Sequence, residues 1–142
     1  MFKDLLLHPA FLSVFFVWLI AGLIKYFSKI STSKKVSFSE ELFRTGGMPS
    51  AHAGTVTTIT ASVFFIEGFS ILFFVAAVFS VLVIRDSIGV RWSVGEQAKI
   101  INKLLTHDNM HKKVKVFMGH TPFQALFGII LGILVAAIMH ML

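Results

Sequence analysis

Two histidines stand where apolar runs begin. His52 lies in Gly46-Gly47-Met48-Pro49-Ser50-Ala51-His52-Ala53-Gly54, and His120 lies in Gly119-His120-Thr121-Pro122. In the first stretch the paired glycines permit a tight turn or a close backbone approach. Pro49 stiffens the entry to the next element, and Ser50 is placed to cap a helix running on from Ala51. His52 then falls in the first turn, beside unsatisfied backbone N–H groups and the positive end of the helix dipole. In the second stretch Thr121 is the expected N-cap, Pro122 the first helical residue and Gln124 the capping-box partner. Arg85, Asp86 and Arg91 follow the third apolar run, and Arg44 stands just ahead of the glycine pair.

An imidazole at a helix N-terminus suits a phosphate oxyanion and a proton transfer. Two imidazoles with several guanidinium groups suit hydrolysis of a phosphate ester. One ring attacks phosphorus and the other protonates the leaving oxygen. Arginines and backbone N–H groups stabilise the charge on the transferring phosphoryl group. That scheme calls for no metal and no cofactor. Taken alone, each stretch also reads as an ordinary loop-to-helix junction at a membrane surface, and Arg44 as a surface charge.

The elements that must position these residues are set by composition. The chain has 142 residues, 56% of them hydrophobic and 14% charged, with 16 phenylalanines and a mean hydropathy of +0.83. A soluble domain of this size cannot cover so much apolar surface. The expected fold is an all-α integral membrane bundle of four transmembrane helices, forming one domain over residues 1–142. The apolar runs are His8 to Phe27, Ala51 to Ile66, Phe69 to Ile84 and Phe123 to Leu142. Short amphipathic helices are expected in the polar segments between them, one capped by Ser39 and one reaching Leu105. No cleavable signal peptide is expected, and with no cysteine there is neither a disulfide nor a thiolate site.

The net charge of +6 then marks membrane topology, with no nucleic-acid partner expected. Lysines and arginines concentrate in Ser28 to Thr45 and Arg85 to Gly119, whereas the intervening turn holds only Glu67. The positive-inside rule places both polar segments in the cytoplasm of a multi-pass protein, and a prokaryotic plasma membrane is the expected location. Lys25 and Tyr26 read as interface anchors, the lysine snorkelling. Thr55, Thr57, Thr58, Thr60 and Ser62 read as hydroxyls that pack helix against helix. Gly128 and Gly132 form a G-x-x-x-G pair compatible with a homodimer. His107 and His111 have i,i+4 spacing, but in a hydrophilic loop without a zinc-hydrolase glutamate they assign no metal.

With these motifs in view, the chain resembles the type 2 phosphatidic acid phosphatase superfamily, which includes the vanadium haloperoxidases, and more closely its small divergent membrane branch. The resemblance rests on Gly46 to His52, on Arg85-Asp86-Ser87-Ile88-Gly89-Val90-Arg91, on Gly95-Glu96-Gln97-Ala98 with Asn102, and on Gly119 to Pro122. It implies a membrane phosphatase acting on a lipid phosphate or diphosphate through a phosphohistidine. His120 would be the nucleophile and His52 the general acid. Ser50 and backbone N–H groups near Gly47 would hold phosphate oxygens, with Arg44, Arg85 and Arg91 as cationic partners and Asp86 in support. Three departures stand out. Ala51 replaces the usual glycine, Gln124 stands where an aspartate normally orients the nucleophile, and Arg91 lies farther from His120 than the motif has it. The alternative is a lipid-phosphate binding or translocating protein on the same scaffold, and a third reading is a purely structural membrane protein.

Overall fold

A computed structural model describes residues 6–31, 37, 46–107 and 113–142. The described residues form five α-helices: α1 (Pro9–Ile30), α2 (Ala51–Glu67), α3 (Ile71–Ile88), α4 (Val90–His107) and α5 (Pro122–Met141). The expected short helix at Ser39, together with Arg44, lies outside the described residues, as do His111 and the side chain of His107.

Four of the five helices start where the local sequence supplies a cap. The His8 imidazole accepts from the Ala10 N–H at 3.2 Å, with Pro9 as the first helical residue. Ser50 accepts from Ala53 and Ser70 from Phe73, which opens α2 and α3. Thr121 and Gln124 complete a reciprocal capping box at α5. The turn after α2 is made by Gly68 at φ 66°, where a side chain would be strained.

Among the described residues, three stretches are long and apolar enough to cross a membrane: Pro9–Ile30, Ile71–Thr106 and Pro122–Met141. The chain is thus a multi-pass membrane protein. The middle stretch is α3 continued by α4 across a break at Gly89. The fourth expected span, α2, has 17 residues and reaches about 26 Å. It lies at the centre of the bundle, packing against α1, α3 and α5. Its hydroxyls explain how a helix rich in threonine is tolerated there. Thr58 donates to the Gly132 carbonyl of α5 at 3.1 Å. Thr60 Oγ1 lies 2.7 Å from Ser80 Oγ of α3, and Ser62 Oγ lies 3.3 Å from Ser13 Oγ of α1. Hydroxyls that would be costly against lipid thus tie α2 to all three neighbours.

The largest interface joins α2 to α5, which run parallel with their N-termini at one end of the bundle. It is a glycine contact. A Cβ added at Gly128 would fall 2.4 Å from the Ser50 carbonyl, and one at Gly132 would fall 2.5 Å from the Gly54 carbonyl. Gly54 in turn leaves room for Val17 of α1. The G-x-x-x-G pair is therefore used within one chain. Its spacing announces close packing with another helix, and that helix is α2 of the same chain.

Leucine at Gly132 should separate α2 from α5. Unfolding of the purified protein in detergent should show a loss of at least about 1–3 kcal/mol, the usual cost of overpacking. Unchanged stability, with loss of a dimer instead, would contradict the intramolecular assignment.

Candidate functional site

Three chain segments meet where α2 and α5 begin. The first is the turn before α2. Gly46 and Gly47 have φ of 88° and 82°, left-handed backbone that glycine adopts without strain. The turn leads through Met48-Pro49, whose peptide bond is cis, to the Ser50 cap. The second is Gly119-His120-Thr121, entering α5. The third is the junction of α3 and α4, with Ser87 in the last turn of one helix and Arg91 in the first turn of the next.

Backbone contacts fix the three to each other. The Ser50 N–H donates to the Gln124 carbonyl at 3.1 Å, and the His120 N–H donates to the Ser87 carbonyl at 2.9 Å. Gly119 presses on the α3–α4 junction so closely that a Cβ there would lie 2.5 Å from the Trp92 nitrogen and 2.6 Å from the Ser87 oxygen. Farther out, the Asn102 side chain grips Val114 from both sides. Nδ2 donates to the Val114 carbonyl at 2.8 Å, and the Val114 N–H donates to Oδ1 at 2.7 Å. The segment 113–120, which is neither helix nor strand, is thereby held against α4.

His120 is the largest fully buried side chain among the described residues, 2% exposed. Its Nδ1 lies 3.1 Å from the Gly47 carbonyl oxygen. A carbonyl only accepts, so Nδ1 carries the hydrogen and Nε2 presents its lone pair. Nε2 is buried and makes no hydrogen bond among the described residues. The His52 ring stands beside it, with centroids 5.8 Å apart and planes at 62°. The structure thus joins two histidines that are far apart in the chain.

Burial pushes the His120 imidazole down to about 4, with the charge of Lys25 and the neighbouring His52 acting in the same direction. The Gly47 carbonyl and the Gln124 side chain oppose that shift without cancelling it. The ring is therefore neutral at physiological pH. Between 6.5 and about 4 the unfolded chain binds a proton that the native site refuses, so this group's contribution to stability is lost as pH falls through that window.

The remaining expected residues are distributed unevenly. Arg91 donates through Nε to Asp86 Oδ2 at 2.9 Å, and both lie within electrostatic range of His52. Arg85 stands exposed on the last turn of α3 and is not among the charges acting on either histidine. Gln124 is mainly a cap. Its Oε1 accepts from the Thr121 N–H at 3.1 Å, and its effect on His120 is the weakest of those acting there. The Nδ1 partner of His120 is the Gly47 carbonyl. Among the described residues no three His, Cys, Asp or Glu side chains converge as a metal site.

Lys25 departs from its expected place. It does not snorkel, being 4% exposed. Its methylenes run past Gly47, within 3.8–3.9 Å of where a Cβ would sit, and its charge acts on both His52 and His120. The signal for this is present in the chain. Ser13, Val17, Ala21 and Lys25 recur every four residues, and all four are buried. A small-residue stripe on a helix marks its packed face, and the lysine closes that stripe.

In 15N-histidine NMR spectra of the protein in micelles, His120 should show the Nδ1–H tautomer and stay neutral on titration from pH 7 to about 4.5. Protonation near 6.5, or the opposite tautomer, would contradict the geometry.

Residues 6–135 match the divergent PAP2 family. The chain is also 34% identical over 153 aligned positions to the uncharacterised membrane protein YuiD of Bacillus subtilis (strain 168), with 96% of each chain covered. No solved structure matches it. With the family match running through nearly the whole bundle, including both histidine junctions, the chain belongs to the divergent PAP2 family.

Proposed function

We propose that this protein is a membrane phosphatase that hydrolyses a lipid phosphate or diphosphate through a phosphohistidine on His120. Family membership supports a lipid-phosphatase type of function in general. The observation that carries the finer reading is the buried, unpartnered Nε2 of a neutral imidazole, with a second imidazole beside it.

The step is an in-line displacement. The Nε2 lone pair forms a bond to phosphorus as the bond from phosphorus to the ester oxygen breaks. His52 delivers a proton to the departing oxygen. In the second half, His52 takes a proton from water as that water attacks the phosphohistidine, releasing inorganic phosphate and restoring the His120 lone pair. Lys25 and Arg91 stabilise the phosphoryl oxygens, and Asp86 holds the Arg91 guanidinium in place. The parallel N-termini of α2 and α5 add positive potential on the same side. Ser50 and the backbone around Gly47 complete the cradle in this reading, and the family resemblance adds Arg44 as a cationic partner. Arg85 is left with a surface role. The excess of lysine and arginine orients the site face toward the cytoplasm, so substrate comes from the inner leaflet.

One observation favours the second reading, a protein that binds or moves lipid phosphates without cleaving them. The partner of His120 Nδ1 is a neutral carbonyl, which supports an emerging imidazolium less than a carboxylate does.

A phosphate-release screen over lipid phosphates and diphosphates, using purified protein, separates the two readings. Turnover should fall by at least about 10³-fold in His120→Ala and by about 10²–10⁴-fold in His52→Ala. Lys25→Met should lower kcat/KM by about 10²-fold with the fold retained. Phosphate release that survives His120→Ala would remove it as nucleophile, and binding without release in the wild type would favour the second reading.

A further inference from the structure

The bundle carries an apolar groove of about 220 Å³ between α1 and α5. Ile24 forms one wall, Phe127, Ile130 and Leu134 the other, and Met48 and Pro49 close one end. We propose that this groove holds one hydrocarbon chain of the lipid whose phosphate is bound at His52 and His120, so that it selects substrates by chain length; the inference rests on the phosphate reading of that site.

Three observations tie the groove to the site. Its end wall, Met48-Pro49, adjoins Gly47, whose carbonyl holds His120 Nδ1. Ile24 adjoins Lys25, whose charge acts on both histidines. From Phe127 to Leu134 the groove follows α5 away from its N-terminus for about 10 Å. It therefore runs from the interfacial face that holds the histidines toward the middle of the bilayer. A lipid has the same layout, with its headgroup at the interface and its chain pointing inward. The lining is hydrocarbon, with Ile24, Phe127, Ile130 and Leu134 partly open to the outside of the bundle. A chain can enter sideways from the leaflet without the lipid leaving the membrane.

A groove of this size takes the part of a chain nearest the headgroup, so a chain too short to fill it is held less well, and the remainder of a longer one stays in lipid. Leu134 marks its far end. A larger side chain there shortens the groove without touching the histidines, whereas one at Ile130 blocks its middle.

The test uses full-length protein in nanodiscs and a single-chain alkyl phosphate with a diazirine partway along the chain. After photolysis, adducts should concentrate several-fold on α1 and α5 groove residues over Phe74 and Phe79, which face outward from α3. Excess unlabelled alkyl phosphate should suppress that labelling, and so should Ile130→Trp. The corresponding alkyl alcohol should label groove and α3 surface alike. In parallel, Leu134→Trp should slow phosphate release from long-chain substrates about tenfold relative to short-chain ones, with Phe79→Trp as the silent control. Uniform labelling, or equal effects on short and long chains, would overturn the groove. The two readings fail separately. Groove labelling without phosphate release removes hydrolysis and keeps the chain site, while release with uniform labelling does the reverse.

Discussion

The contact on which the rest depends is the glycine-mediated packing of α2 on α5. Gly128 and Gly132 meet the carbonyls of Ser50 and Gly54, so two helix backbones approach more closely than any side chain would allow. Because the helices run parallel, the same contact brings their N-termini to one face. Each N-terminus has a histidine beside it, His52 in the first turn of α2 and His120 just ahead of the α5 cap. The pairing of the two rings is set by the backbone register of this helix pair. The hydrogen bond from Ser50 to the Gln124 carbonyl fixes that register at its functional end.

Once the helices are set, the chemistry of His120 is determined by its surroundings. Its backbone is tied to Ser87 and its Nδ1 to Gly47, so the ring has one orientation and one tautomer. Burial and the positive charge of Lys25 keep it neutral. A nucleophilic imidazole needs this state before attack and needs help in the charged state afterwards. The first condition is met strongly. In the proposed mechanism the second falls to the phosphoryl group itself, whose negative charge offsets the imidazolium, since no carboxylate is bonded to Nδ1. Lys25 holds the ring neutral in the free protein, and the proposal gives it phosphate oxygens as a second partner.

Much of the fold is legible in the chain because it is local. Ser50, Thr121, Pro122 and Gln124 announce helix starts within four residues, and the hydroxyls of α2 announce a helix shielded from lipid. The part that cannot be read locally depends on which backbone groups meet across the bundle. The bond between His120 Nδ1 and Gly47 joins residues 73 apart, and no spacing rule anticipates it. Gln124 matches a capping pattern and a family position at once, and the capping geometry claims it. Gly128 and Gly132 signal close packing correctly, but a motif does not say whether its partner lies in the same chain. Lys25 goes against expectation because a lysine at the end of an apolar run usually snorkels. The four-residue stripe from Ser13 is the better guide, since it shows which face of α1 is inside.

The central claim is that His120 Nε2 becomes bonded to phosphorus. The most direct measurement is rapid alkaline quench of the wild-type protein during turnover of a 32P-labelled lipid phosphate, followed by peptide mapping. The predicted result is an acid-labile, alkali-stable label on the peptide containing His120, absent in His120→Ala and longer-lived when His52 is replaced. Turnover with no protein-bound label on the millisecond timescale, or a label mapping to another residue, would contradict it.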